Sequence, residues 1–124
     1  MFDIRVLATT QLGPEGQRLG EVTTEDFTER FACHGHTRQV DKFEDLWRHE
    51  LCRLIDGESA VALIHDPRFA WVVYRVGPRC YVQQMFSPTD GFADIEPRRT
   101  HTEDGERIGE WSTHLVEIQR HLVA

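Results

Sequence analysis

The string Cys33-His34-Gly35-His36 is the tightest gathering of metal-binding side chain types in the 124-residue sequence. A soft sulfur beside two imidazoles suits zinc or copper. A structural zinc needs four ligands, and the further donors His49 and Cys52 stand at no recognised metal-site spacing. The string is therefore read as a polar loop, and neither a metal nor another cofactor is expected. His114, Glu117 and His121 fall at i, i+3 and i+7 on one expected helix, which is not the His-Glu-x-x-His arrangement of a zinc hydrolase. A solvated helix face is the reading there. No Gly-rich loop joins a strand to a helix with phosphate-binding spacing, and no Gly-x-Ser-x-Gly elbow occurs. Three cysteines and seven histidines allow many Cys/His dyads to be drawn, so no single one carries information. The chain is not expected to be an enzyme.

Charge says more than any triplet. Twenty-one acidic residues face 14 basic ones, a formal net charge of −7, with a pI near 5.4. A protein that grips nucleic acid presents clustered Lys and Arg, so direct nucleic-acid binding is disfavoured and a basic protein partner is the better match. Residues 59–86 carry a charge of +2, and the rest of the chain sums to −9. The densest acidic stretch is Glu103, Asp104, Glu106 and Glu110, relieved only by Arg107, with Asp90, Asp94 and Glu96 shortly before it. Such runs often do no more than solvate a loop. An acidic rim can also steer a cationic protein and pair with the groups that would otherwise hold phosphates. Glu103, Asp104, Glu106 and Glu110 are the first candidates for such a surface, and Asp90, Asp94 and Glu96 the second.

The elements that position these residues follow from periodicity. Phe2 to Thr9 alternates like a strand and runs into a polar stretch with Gly13, Pro14, Gly16 and Gly20, read as a loop. Phe27 to Cys33 alternates again, with a short helix over Thr24 to Phe31 as the competing reading. Asp41 and Glu44 have capping-box spacing. They precede Phe43, Leu46, Trp47, Leu51, Leu54 and Ile55 at helical intervals, and Gly57 ends the run. Ser59 to His65, Phe69 to Val76 and Cys80 to Phe86 read as three successive strands. Pro78 does not suit a two-residue type I′ turn, so a slightly longer loop is expected over Val76 to Arg79. If Arg75 faces Cys80, then Trp71, Val73, Val82 and Phe86 share one side of the sheet and Tyr74, Tyr81, Gln83 and Met85 the other. Ser87 to Gly91 reads as a loop. Arg98 to Thr102 and Glu106 to Trp111 are expected to pair across Glu103-Asp104-Gly105, after which Ser112 or Thr113 would cap a helix striped by Leu115, Ile118 and Leu122.

These elements predict one α+β domain over residues 1–124: a mostly antiparallel sheet of about five or more strands, an amphipathic helix near 42–56 and a C-terminal helix. A chain of this length buries roughly two thirds of its unfolded surface, enough for a core without staples. Three cysteines without a Cys-x-x-Cys pair predict free thiols. Charges alternate with apolar residues in Phe2 to Leu7, where a signal peptide would be continuously apolar, and no apolar run approaches a membrane span. A cytoplasmic protein is expected.

Several strings, in order, resemble a known family. Phe43-Glu44-Asp45-Leu46-Trp47, Phe69 to Tyr74, Tyr81-Val82-Gln83-Gln84, and Asp104-Gly105 followed by Ile108-Gly109-Glu110-Trp111-Ser112-Thr113-x-Leu115 are similar to the CdiI immunity proteins of bacterial contact-dependent growth inhibition. The resemblance spans roughly residues 27 to 122. It is nearest to a branch whose fold is similar to Whirly single-strand-binding proteins and whose toxin resembles ribosomal-RNA-cleaving colicins. It implies a cytosolic, non-enzymatic antidote that binds the C-terminal toxin domain, of basic nuclease type, of an adhesin delivered by a neighbouring cell. The Gly77-Pro78 turn and the Ser87 to Pro97 excursion depart from the family's pattern, so no contact residue is carried over. The alternative is a Whirly-like module that binds single-stranded nucleic acid itself.

Overall fold

Strand-forming alternation builds two antiparallel sheets, and one helical stripe fills the space beside them. The computed structural model describes residues 1–34, 37–89 and 91–124. The first sheet has the order β1 (Asp3–Val6), β2 (Leu19–Thr23), β3 (Thr28–Ala32). The second has the order β4 (Ala60–Asp66), β5 (Phe69–Val76), β6 (Arg79–Phe86), β7 (Trp111–His114). Helix α1 (Thr37–Ile55) links the sheets, and α2 (Leu115–Val123) follows β7 directly. The expected α+β class is therefore the class adopted, with the strands divided between two sheets.

Helix α1 starts earlier than its capping-box signal suggested. Val40 is buried and extends the apolar stripe of Phe43, Trp47, Leu51 and Leu54 by one turn. Glu44 serves another purpose: its carboxylate accepts the Val6 amide at 2.8 Å and ties β1 to the helix. Leu46, counted in the stripe from sequence, is 52% exposed. The helix ends at Gly57, whose φ of +130° a side chain would strain. Arg75 from β5 donates to the Leu54 and Ile55 carbonyls at that ending, and the Gly57 amide also donates to the Leu54 carbonyl.

Strand β2 runs through the segment read as loop. Gly20 obscured it, yet glycine is what the position requires. A Cβ there would lie 2.4 Å from Phe31 of β3, whose ring occupies the vacant space. Phe27 to Cys33 resolves as strand β3, not helix. The β5–β6 register pairs Arg75 with Cys80, and the two expected side-chain faces follow. Their connection is shorter than expected, because Val76 pairs directly with Arg79. Gly77, at φ +62°, supplies the positive φ of a type II′ turn at its first position and leaves the second to Pro78.

Ser112 and Thr113 belong to β7 and do not cap α2. His114 occupies the N-cap without a side-chain cap bond. Thr113 is buried instead, and its hydroxyl donates to the Met1 carbonyl. Leu115, Ile118 and Leu122 face the core as their spacing implied. That core is a continuous cluster between the sheets, joining Ile4, Val22 and Phe31 to α1 and to Val61, Leu63, Trp71, Val73 and Val82 of the second sheet. The opposite face of the second sheet carries a smaller cluster of Ala62, Ala70, Val72 and Tyr74, covered by Phe92 and Ile95.

Candidate interaction surface

The acidic residues singled out from sequence occupy three settings. Glu103, Asp104 and Glu106 are exposed together on a tight turn. Gly105, at φ +84°, makes the reversal. The Gly105 amide donates to Thr102 O, Thr102 N to Glu106 O, Ile108 N to Thr100 O, and Glu106 N to the Thr102 hydroxyl. The expected hairpin is real but short, with a single bridge between His101 and Arg107. Trp111, placed on its second arm from sequence, instead pairs with Val82 in the main sheet. No ion pair to Glu103, Asp104 or Glu106 occurs among the described residues.

Glu110 is in a different position altogether. Its carboxylate receives Arg98 through both oxygens, at 2.5 and 2.9 Å, and the amide of Gln83 at 2.6 Å. Gln83 is fully buried and also donates to the Arg99 carbonyl. The Arg98 guanidinium lies 3.7 Å from the centroid of the Tyr81 ring. Partial burial pushes the Glu110 carboxyl up, but the hydrogen bonds from Arg98 and Gln83 outweigh it and hold the group below its ordinary range. Glu110 thus anchors the acidic turn to β6, and its charge is already spent within the chain.

Asp94 and Glu96 lie on a strap across the outer face of the second sheet. Both side chains are exposed. Tyr74 donates to the Glu96 carbonyl at 3.0 Å, and the Glu96 carboxylate stands 3.8 Å from Arg99. Asp90 lies outside the described residues, as do Gly35 and His36 of the metal-ligand string. Cys33 is buried and its thiol is pushed up to about 11, chiefly by burial, which keeps it protonated and a poor ligand. No group of three His, Cys, Asp or Glu side chains that could hold a metal occurs among the described residues. His121, expected on a solvated face, is half-buried: its Nδ1 meets Asp3 at 3.2 Å and its ring packs edge-on to Phe2.

One surface feature had no sequence signal. Phe69 and Phe86 face each other at the open end of the β5–β6 hairpin, ring centroids 5.2 Å apart, and are 40% and 56% exposed. Apolar residues at strand ends read as core in a sequence, because burial depends on which element crosses above them. Here none does.

Known proteins give this surface its context. A chain from a CdiA-CT/CdiI toxin and immunity complex from Enterobacter cloacae superimposes with a TM-score of 0.75 at 22% identity, over 99% of this chain and 97% of that one. At this identity the likeness establishes the fold. No curated protein matches the sequence. Residues 36–121 match the model of the CdiI N-terminal domain, and with most of its length inside that match the chain belongs to the CdiI family.

Proposed function

We propose that this chain is an immunity protein that binds the C-terminal toxin domain of a contact-dependent growth inhibition adhesin and neutralises it by occupying its surface. The observation that carries the reading is the family match over residues 36–121. The likeness to a chain of a toxin and immunity complex supports it. The protein acts in the cytoplasm and without catalysis. Its toxin is a basic nuclease, a partner suited to an acidic turn of three exposed carboxylates without ion pairs among the described residues. In this reading Glu103, Asp104 and Glu106 meet the toxin, Asp94 and Glu96 extend the acidic rim, Asp90 remains a sequence-based candidate beside them, and Glu110 positions the turn.

The test is protection. The toxin domain encoded upstream of this gene is expressed in a sensitive strain with and without the protein, and growth is followed. Rescue by the intact protein is the expected result; continued arrest despite soluble expression overturns the proposal. Titration with single-stranded RNA and DNA completes the test, because tight, salt-sensitive binding there would replace this reading with a nucleic-acid-binding one.

A further inference from the structure

The inference concerns the mouth of the cleft between the sheets, and it rests on the toxin-binding reading above. Strand β3 is one of the two edge strands of the first sheet. Its inward residues show how it crosses the second. Phe27 stacks on Trp111 of β7 at 3.7 Å and meets Trp71 of β5 at 6.0 Å. Four residues on, Phe31 meets Trp71 at 5.8 Å and His65 of β4 at 4.6 Å. The strand therefore lies across the second sheet at the level of Trp71. Phe69, Gln84 and Phe86 share the inward face but lie beyond that crossing, and all three are exposed.

Glu29 shares a groove with Phe69 and Gln84 of this shelf. It has the same strand parity as Phe27 and Phe31, so the side chain between two inward aromatics is a carboxylate. It is exposed, and no ion pair or hydrogen bond to it occurs among the described residues. It lines a groove of about 290 Å³ with Phe31, His65, Phe69 and Gln84. His65 is 4% exposed, donates from Nδ1 to the Ala32 carbonyl, and leaves Nε2 without a partner among the described residues. Neighbouring Arg30 is already matched by Glu21, and Arg68 lies over Phe86 with its guanidinium bonded to the Ser87 and Pro88 carbonyls. Glu110, next to Trp111 of β7, reaches Gln83 of β6. Because β7 is antiparallel to β6, the chain preceding Trp111 runs toward the Phe86 end of β6.

We propose that the groove of Glu29, Phe69 and Gln84, continued by Phe86 beside Phe69, seats an arginine-bearing segment of the toxin. A guanidinium stacks on an aromatic face and forks to a carboxylate at once, which a lysine ammonium does less well. Exposed aromatics ringed by polar groups are also the composition of binding hot spots. The acidic turn then supplies the long-range attraction, and the shelf supplies the contact that holds.

Affinities for the purified upstream-encoded toxin domain test this directly, measured for the wild type, Phe86→Ala, Glu29→Gln, Glu29→Lys and Val116→Ala. Val116 is similarly exposed but on α2. All three positions are exposed, so unchanged circular dichroism is expected and is checked. Phe86→Ala and Glu29→Lys should each weaken binding at least tenfold, Glu29→Gln less than Glu29→Lys, and Val116→Ala by no more than twofold. Wild-type binding with Phe86→Ala and Glu29→Lys at full strength overturns the seat alone. If folded wild type does not bind the toxin domain, the immunity reading falls and the seat falls with it.

Discussion

The two faces of the β4–β7 sheet are stabilised by different physics. The inner face presents Val61, Leu63, Trp71, Val73 and Val82 to α1, α2 and the first sheet, all within one apolar cluster. The outer face presents smaller groups, Ala62, Ala70 and Val72, and is covered by irregular chain carrying Phe92 and Ile95. That cover is fastened by polar bonds: Tyr74 to the Glu96 carbonyl, Arg68 to the Ser87 and Pro88 carbonyls, and the Arg98–Glu110–Gln83 knot. Apolar burial does not titrate, whereas the Arg98–Glu110 pair in that cover does. The inner face thus sets global stability, and the outer face sets the order of the segments that carry the acidic residues.

The largest effect that separates the faces is truncation of an inner aromatic. Trp71 is completely buried, and Trp71→Ala should cost about 3–5 kcal/mol, much of the ~5–15 kcal/mol that holds a domain together. Tyr74→Phe, on the outer face, removes one hydrogen bond and should cost about 0.5–1.5 kcal/mol. Denaturant midpoints measure both, and equal losses would erase the distinction.

Glu110→Ala comes next. It strips Arg98 and the buried Gln83 amide of their shared acceptor, and an unsatisfied buried group costs about 1–3 kcal/mol. The loss should be local. Amide exchange should accelerate in residues 98–110 while β5 keeps its protection, and uniform acceleration across the sheet would show that the knot belongs to the global core instead.

Acid should distinguish the faces as well. Glu110 titrates below its ordinary range, so its contribution is complete above the unfolded carboxyl value near ~4.3 and is lost as pH falls through the folded one. His65 is lowered by burial, which the Ala32 hydrogen bond only partly offsets. The unfolded chain therefore takes up its proton first, and stability on the inner side declines as pH falls below about 6.5. His121 is lowered too, again chiefly by burial. His65→Phe should reduce the decline beginning near pH 6.5 without abolishing it, and Glu110→Gln should remove part of the decline at lower pH. Thermal midpoints between pH 3 and 8 check both, and a slope unchanged by His65→Phe would remove that histidine from the account.

Legibility from sequence divides along the same line. The β5–β6 faces were readable because parity fixes side-chain direction once one pair is known, and Arg75 opposite Cys80 fixed it. The α1 stripe was readable from its three- and four-residue intervals, although its first turn needed Val40 to be recognised as core. Gly20 hid β2 because only a tertiary contact with Phe31 explains it. Glu110 looked like one more member of an acidic run. Its partners Arg98 and Gln83 lie 12 and 27 residues away, and no local pattern announces a pairing of that kind.

The smallest effect on stability should accompany the largest effect on encounter. Glu103 and Glu106 are exposed on the turn and bear no ion pair among the described residues. Reversing both to lysine should therefore shift stability by no more than about 0.5 kcal/mol. Toxin association is another matter, because attraction between opposite charges accelerates it before any contact forms, and salt screens that attraction over ~10 Å at 0.1 M. The double reversal should slow association severalfold at low salt and much less at high salt, with dissociation nearly unchanged. Phe86→Ala should do the opposite, speeding dissociation at every salt concentration. Stopped-flow traces across a salt series resolve the two patterns. If the double reversal changes neither rate, the acidic turn takes no part in binding, and the exposed aromatic shelf carries the interface without it.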